Sequence, residues 1–252
     1  MKHSLIPIFI VLIGEIYCID YCDQSLCPAG KHIACEHNGN FAPSCPKDAV
    51  LMDLTNPLKT SIVNGFNEKR NFIAGGGHHN HRPACRMATM QWDDELAQLA
   101  ELNVKQCEMK REACHNTQAY RNSGQNLAWL TYKNKPDFVE LIEHSLQIWY
   151  DEVNQCKMGY IRKYPQHHTG AVIGHFTAMV TDRNTRVGCA ASTYSVSGED
   201  YKVCLMACNF AHNNVMDEAV YEDCPKAAMN CTTGRNLKYP NLCSNSEIYN
   251  VY

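Results

Sequence analysis

Past residue 16 the chain has no apolar run approaching the ~20 residues that a membrane-crossing helix needs, so no membrane span is expected. Charge of neither sign dominates: 23 lysines and arginines stand against 26 aspartates and glutamates, a formal net charge of −3. That balance offers nothing to a nucleic-acid backbone. Paired Cys-X-X-Cys motifs, the usual mark of a thiolate metal cluster, are missing. An Arg-Gly-Asp triplet is missing too, which removes that type of integrin-binding loop. No recognisable motif sets a serine or cysteine beside His175, so a nucleophilic hydrolase has no visible centre there.

What the sequence has is cysteine, fifteen in 252 residues. Lys2 and His3 precede an apolar run from Leu5 to Gly14, too short to span a bilayer. Residues 1–18 therefore read as a secretory signal peptide, cut near Cys18 to Asp20. Loss of Cys18 leaves fourteen cysteines, an even number able to form seven disulfides in an oxidising compartment. The mature product is expected to be secreted and extracellular. With 45% hydrophobic and 19% charged residues, it suits one globular domain with an ample core.

Residues 19–55 hold Cys22, Cys27, Cys35 and Cys45 among many turn formers, and read as an arm held by crosslinks. Asn56-Pro57 opens a helix carrying Leu58, Ile62, Phe66 and Phe72, which stops at Gly75-Gly76-Gly77. The following His78-His79-Asn80-His81 reads as a mobile, solvated loop. Met87 to Met90 is a strand candidate, and Trp92-Asp93-Asp94-Glu95 starts a second helix with an apolar face of Leu96, Leu99, Ala100 and Val104. Cys107 and Cys114 are spaced to close a small loop at its end. Pro136-Asp137 begins a third helix with Phe138, Leu141, Ile142, Leu146, Ile148 and Trp149, and Gly159 to Gly170 reads as loop. Three strands are expected at Phe176 to Thr181, Val187 to Thr193 and Tyr201 to Phe210, the last two joined by a turn at Ser197-Gly198-Glu199-Asp200. The pattern is that of an α+β layered domain. An irregular tail with Cys224, Cys231 and Cys243 follows.

Four segments together resemble the CAP superfamily of cysteine-rich secretory, antigen 5 and pathogenesis-related-1 proteins. They are Ser123-Gly124-Gln125-Asn126-Leu127-Ala128; Ile148-Trp149-Tyr150-Asp151-Glu152-Val153; Gly174-His175-Phe176-Thr177-Ala178-Met179-Val180 with Val187-Gly188-Cys189; and Ala207-Cys208-Asn209-Phe210. The arm from Tyr21-Cys22 to Cys45-Pro46 resembles the insect antigen 5 branch. This resemblance implies a three-layer α-β-α sandwich over residues 56–212, with residues 213–252 as a cysteine-containing tail. It also implies the pairs Cys22 with Cys35, Cys27 with Cys114, Cys45 with Cys107, and Cys189 with Cys208.

The family's cleft often carries two histidines and two glutamates able to hold a divalent metal. Glu152 and His175 match two of those positions, Gln125 stands where many members have glutamate, and Arg111 falls on the other histidine position. Arginine cannot ligate a metal, and beside Glu152 it is expected to pair with the carboxylate. No tightly bound cofactor is expected, only zinc or copper held weakly by His175 and Glu152. Thr181 stands where the family often has tryptophan.

The resemblance implies a non-enzymatic secreted binder of salivary antigen 5 type, acting on host haemostasis or immunity, and an allergen. Its expected partner is a small hydrophobic ligand (fatty acid, eicosanoid or sterol) or a host protein. Leu58, Ile62 and Phe66 on the first helix and Leu141, Ile142 and Ile148 on the third are candidate linings of a ligand channel. The competing expectation is a metal-dependent hydrolase or copper-dependent redox protein centred on His175 and Glu152. Asn230-Cys231-Thr232 is a sequon for one glycan.

Overall fold

In the computed structural model, which describes residues 19–134 and 136–251, helices and strands alternate along the chain. The segment over residues 1–18 that is expected to be a signal peptide, with Cys18, lies outside the described residues. In order, the elements are β1 (Val50–Leu51), α1 (Asn56–Ala74), β2 (Gln91–Trp92), α2 (Asp94–Val104), β3 (Gly124–Tyr132), α3 (Phe138–Asp151), a 3-10 turn (Glu152–Asn154), α4 (Met158–Arg162), α5 (Gly174–Val180), β4 (Arg186–Ser195) and β5 (Lys202–Phe210).

The helix starts follow from local chemistry. Pro57 occupies the first turn of α1, where its missing N–H costs nothing. Asn56 lies inside that helix and gives no cap, and the preceding Thr55 makes no side-chain cap bond. The Asp93 carboxylate accepts from the Leu96 N–H at the start of α2, with Asp94 and Glu95 in the positive first turn. Asp137 does the same for α3, accepting from Val139 and Glu140.

Strand order is β1-β4-β5-β3, all neighbours antiparallel, with β2 added parallel to β4. The period-2 alternation of β5 separates the two faces: Val203, Leu205 and Ala207 pack with Ala100 and Val104 of α2, whereas Cys204, Met206 and Phe210 join α1, α3 and α5. This is the three-layer α-β-α sandwich. A Cβ on Gly188 would lie 2.1 Å from the Ala97 nitrogen and 2.4 Å from the Asp93 carbonyl oxygen, so α2 seats on β4 only because that residue is glycine. The hairpin between β4 and β5 turns at Gly198, whose φ is +83°.

Three local expectations are corrected. Phe176 to Val180 is helical, not extended, with Thr181 leaving the helix as its cap, because groups from elsewhere satisfy both ends of α5. Glu152 accepts from the N–H groups of His175 and Phe176, and the buried Arg70 guanidinium donates to the carbonyls of Met179 and Thr181. Thr177 is accordingly a helix residue, its hydroxyl donating to the Ile173 and Gly174 carbonyls. Met87 to Met90 is buried but forms no strand; pairing begins at Gln91. The region from Gly159 onward opens within α4 rather than as loop throughout.

Six disulfides join Cys22 to Cys35, Cys27 to Cys114, Cys45 to Cys107, Cys85 to Cys224, Cys189 to Cys208, and Cys231 to Cys243. Cys107 and Cys114 each tie α2's exit to the arm rather than to one another. Cys189 and Cys208 are direct register partners on β4 and β5. Instead of a seventh bridge, Cys156 and Cys204 remain buried thiols, and burial pushes each up to about 12.

Candidate functional site

Glu152 ends α3 and faces the start of α5, so the two helices meet at one carboxylate. Its Oε1 lies 2.6 Å from His175 Nδ1, and its Oε2 accepts from the His175 and Phe176 N–H groups at 2.9 and 3.0 Å. The pair is partly sheltered, with 14% of the glutamate and 23% of the histidine side chain exposed. The Trp149 ring stacks beside the imidazole at 6.5 Å. Asn126, on the same sheet face, donates to the His175 carbonyl.

Gln125 does not join this pair. It shares the α2 face of β3 with Leu127, and its Nε2 donates to Glu112 Oε1 at 2.8 Å and Asn209 Oδ1 at 2.9 Å. Glu112 also receives the Asn103 amide and stands 2.8 Å from His115 Nδ1. Burial pushes the Glu112 carboxyl up, but the His115 hydrogen bond and charge outweigh it and hold the group below its usual range. Sequence reasoning missed Glu112. Its one signal is its place two residues before Cys114, which the bridge to Cys27 pins against the arm.

Arg111 is exposed and forms no ion pair with Glu152, contrary to expectation, because His175 and two backbone amides already take that carboxylate. Its charge is instead felt at Tyr164, which burial pushes up while Arg111 pulls it down and Glu152 pushes it up. The four positions named from the resemblance are thus not one ligand set: Glu152 and His175 are together, Gln125 faces the other helical layer, and Arg111 carries a permanent cation. Among the described residues no three His, Cys, Asp or Glu side chains gather to hold a metal. With Nδ1 of His175 and both Glu152 oxygens engaged, the residues present do not fit a metal centre.

The expected channel residues divide between core and surface. Ile62, Phe66 and Ile142 are buried in the main core, against which Leu58, Leu141 and Ile148 pack while partly exposed. What lies between α1 and α3 is a groove of about 640 Å³. Of the six, only Ile142 lines it, with Gly65, Leu146, Phe72 and Tyr150. Gly65 opens its floor, since a Cβ there would meet Leu146 Cδ1 at 2.7 Å. The Lys69 ammonium sits 4.5 Å from the centre of the Tyr150 ring, and burial lowers its pKa.

The histidine loop is not solvated throughout. His81 is buried edge-on against Phe176, its Nδ1 is 3.2 Å from that of His78, and burial lowers its pKa to about 4. Asn230 is exposed, but Cys231 is bridged and Thr232 donates its hydroxyl to Glu247.

Venom allergen-1 of Aedes albopictus is 37% identical over 246 residues, covering 95% of this chain and 94% of the relative. The antigen 5 like allergen Cul n 1 of Culicoides nubeculosus is 37% identical over 204 residues, covering 77% of this chain and 93% of that protein. Among solved structures, NaASP2 with Zn2+ shares the fold with a TM-score of 0.59 at 22% identity, covering 80% of this chain and 100% of its own. Residues 75–210 match the CAP model, described as the cysteine-rich secretory protein family, and with these relatives they establish that the chain belongs to that family.

Proposed function

We propose that the protein is a secreted, non-enzymatic antigen 5-like binder, salivary and allergenic, which acts on host haemostasis or immunity by holding a small hydrophobic mediator. The observation that carries this reading is the groove between α1 and α3: an apolar floor at Ile142 and Leu146 beneath a partly desolvated ammonium, Lys69. A fatty acid or eicosanoid has the matching parts, an aliphatic chain for the floor and a carboxylate for the cation. A sterol would use the floor alone, and a host protein would use the rim. Secretion is supported by the six disulfides, and the allergen role by the names of the mosquito and midge relatives.

Catalysis through His175 and Glu152, whether hydrolytic with a metal or redox with copper, is the weaker reading. The zinc of the NaASP2 structure belongs to that protein, and here the carboxylate holds the imidazole and the first turn of α5. Displacement of a fluorescent fatty acid tests the choice. His175→Asn is expected to bind it like the parent, whereas Lys69→Glu weakens binding by about tenfold. Equal loss in both variants, or no uptake by the parent, would contradict the groove reading.

A further inference from the structure

A cleft of about 790 Å³ lies on the other flank of α1 and contains neither His175 nor Glu152. Its walls are α1, the segment from Thr89 to Trp92, and the tail around Arg235 to Tyr239. Such a volume is within the range of about 300–1,000 Å³ typical of small-ligand sites.

Two cations in this cleft are mounted on aromatic rings. Lys59 Nζ lies 5.2 Å from the centre of the Trp92 ring and 3.0 Å from Asp94 Oδ1. Lys238 Nζ lies 5.0 Å from the centre of the Tyr239 ring and donates to Asn64 Oδ1 at 2.8 Å. Asn64 is five residues after Lys59, so the two stations are about 7.5 Å apart along the helix. Each ammonium has three N–H donors and spends one on a protein oxygen, leaving others for a ligand. Arg235 adds a third cation, and Asp94, already bound by Lys59 and the Trp92 indole N–H, is the one acid.

Most of the remaining residues of the lining carry an amide or a hydroxyl, among them Asn56, Thr60, Gln91 and Ser244, and Val63, Met90 and Leu237 are aliphatic. Side-chain amides offer donor and acceptor together, as a ring of hydroxyl groups requires.

The tail that forms one wall is built as a fixed part. Cys231 is bridged to Cys243, the Cys243 carbonyl accepts from the Thr89 hydroxyl, and the Tyr239 hydroxyl donates to Asn64. Asn236 Oδ1 accepts from the N–H groups of Lys238 and Tyr239, closing the turn that carries both. A wall fixed in the free protein has little ordering entropy left to lose when a ligand arrives.

We propose that this cleft is a binding site for an acidic saccharide, a short sugar chain bearing sulfate or carboxylate groups, with Lys59 and Lys238 receiving two anionic groups and the amides receiving hydroxyls. The site is separate from the groove between α1 and α3 and stands whether or not that groove holds a lipid.

Titration calorimetry of the full secreted chain with a heparin-derived tetrasaccharide, a sialylated trisaccharide and neutral maltotetraose tests it. At least one acidic probe is expected to bind and to weaken as salt rises, and maltotetraose to give no signal. The double variant Lys59→Gln, Lys238→Gln is expected to lose about tenfold or more in affinity. Lys133→Gln, at the end of β3 and in neither concavity, is expected to bind as the parent does. Circular dichroism confirms that the double variant is folded, and Lys238→Gln alone, at an exposed tail position, provides a milder version. Absence of binding by both acidic probes at millimolar concentration, equal binding of maltotetraose, or unchanged affinity in the folded double variant would overturn the proposal.

Discussion

Glu152 holds an imidazole and two backbone amides with one carboxylate, and that allocation explains why a histidine and a glutamate side by side need not be a catalytic pair. Its removal should be felt first as lost stability: Glu152→Ala is expected to cost about 3 kcal/mol in urea unfolding, since it leaves charge-assisted bonds unmade at the start of α5. Glu247 gives the matching prediction in pH. Burial pushes its carboxyl up, but hydrogen bonds from Thr232 and Thr233 and the Arg86 guanidinium overcome this and bring it to about 2 from an ordinary 4.5. A folded value below the unfolded one contributes stability that is present above pH 4.5 and lost as pH falls toward about 2. Urea midpoints over that window should fall less steeply for Glu247→Gln than for the parent; parallel curves would contradict the assignment. Of these residues, Glu152 and His175 were legible in the sequence through their motifs. Glu112 was not, because a carboxylate two positions before a cysteine has no periodic or motif signature.

Among elements, α5 shows where local reading fails. Phe176, Thr177 and Val180 favour extended structure by composition, and a seven-residue helix is too short to stabilise itself. Its ends are completed by Glu152 at one side and Arg70 at the other, residues 22 positions before it and more than 100 positions before it respectively. Arg70 is fully buried and donates to the carbonyls of Ala88, Met179, Thr181 and Asp182. Arg70→Met should therefore cost about 4 kcal/mol and raise amide exchange in α5 before it does so in β5, because it leaves buried carbonyls unpaired. Uniform exchange gains across both elements would show that α5 has no such local dependence. By contrast, α1, α2, α3, β4 and β5 were legible because each carries an apolar face of its own at helical or strand spacing.

At the scale of the whole molecule, the sheet, its two helical layers and the stapled tail leave α1 flanked by two concavities, one floored by Ile142 and Leu146 beside Lys69 and one carrying Lys59, Lys238 and Arg235. Sequence could not reveal either, because each is closed by segments distant in the chain: α3 on one flank, the tail on the other. It also overstated the crosslinks, since an even cysteine count does not say which thiols meet, and Cys156 and Cys204 stay apart in the core. Native mass spectrometry of the secreted protein, before and after organic extraction, tests the central reading most directly. The expected result is a lipid-sized adduct that is lost on extraction and depleted in Lys69→Glu. A parent protein that carries no such mass before extraction, and takes up none when fatty acid is supplied, would contradict it.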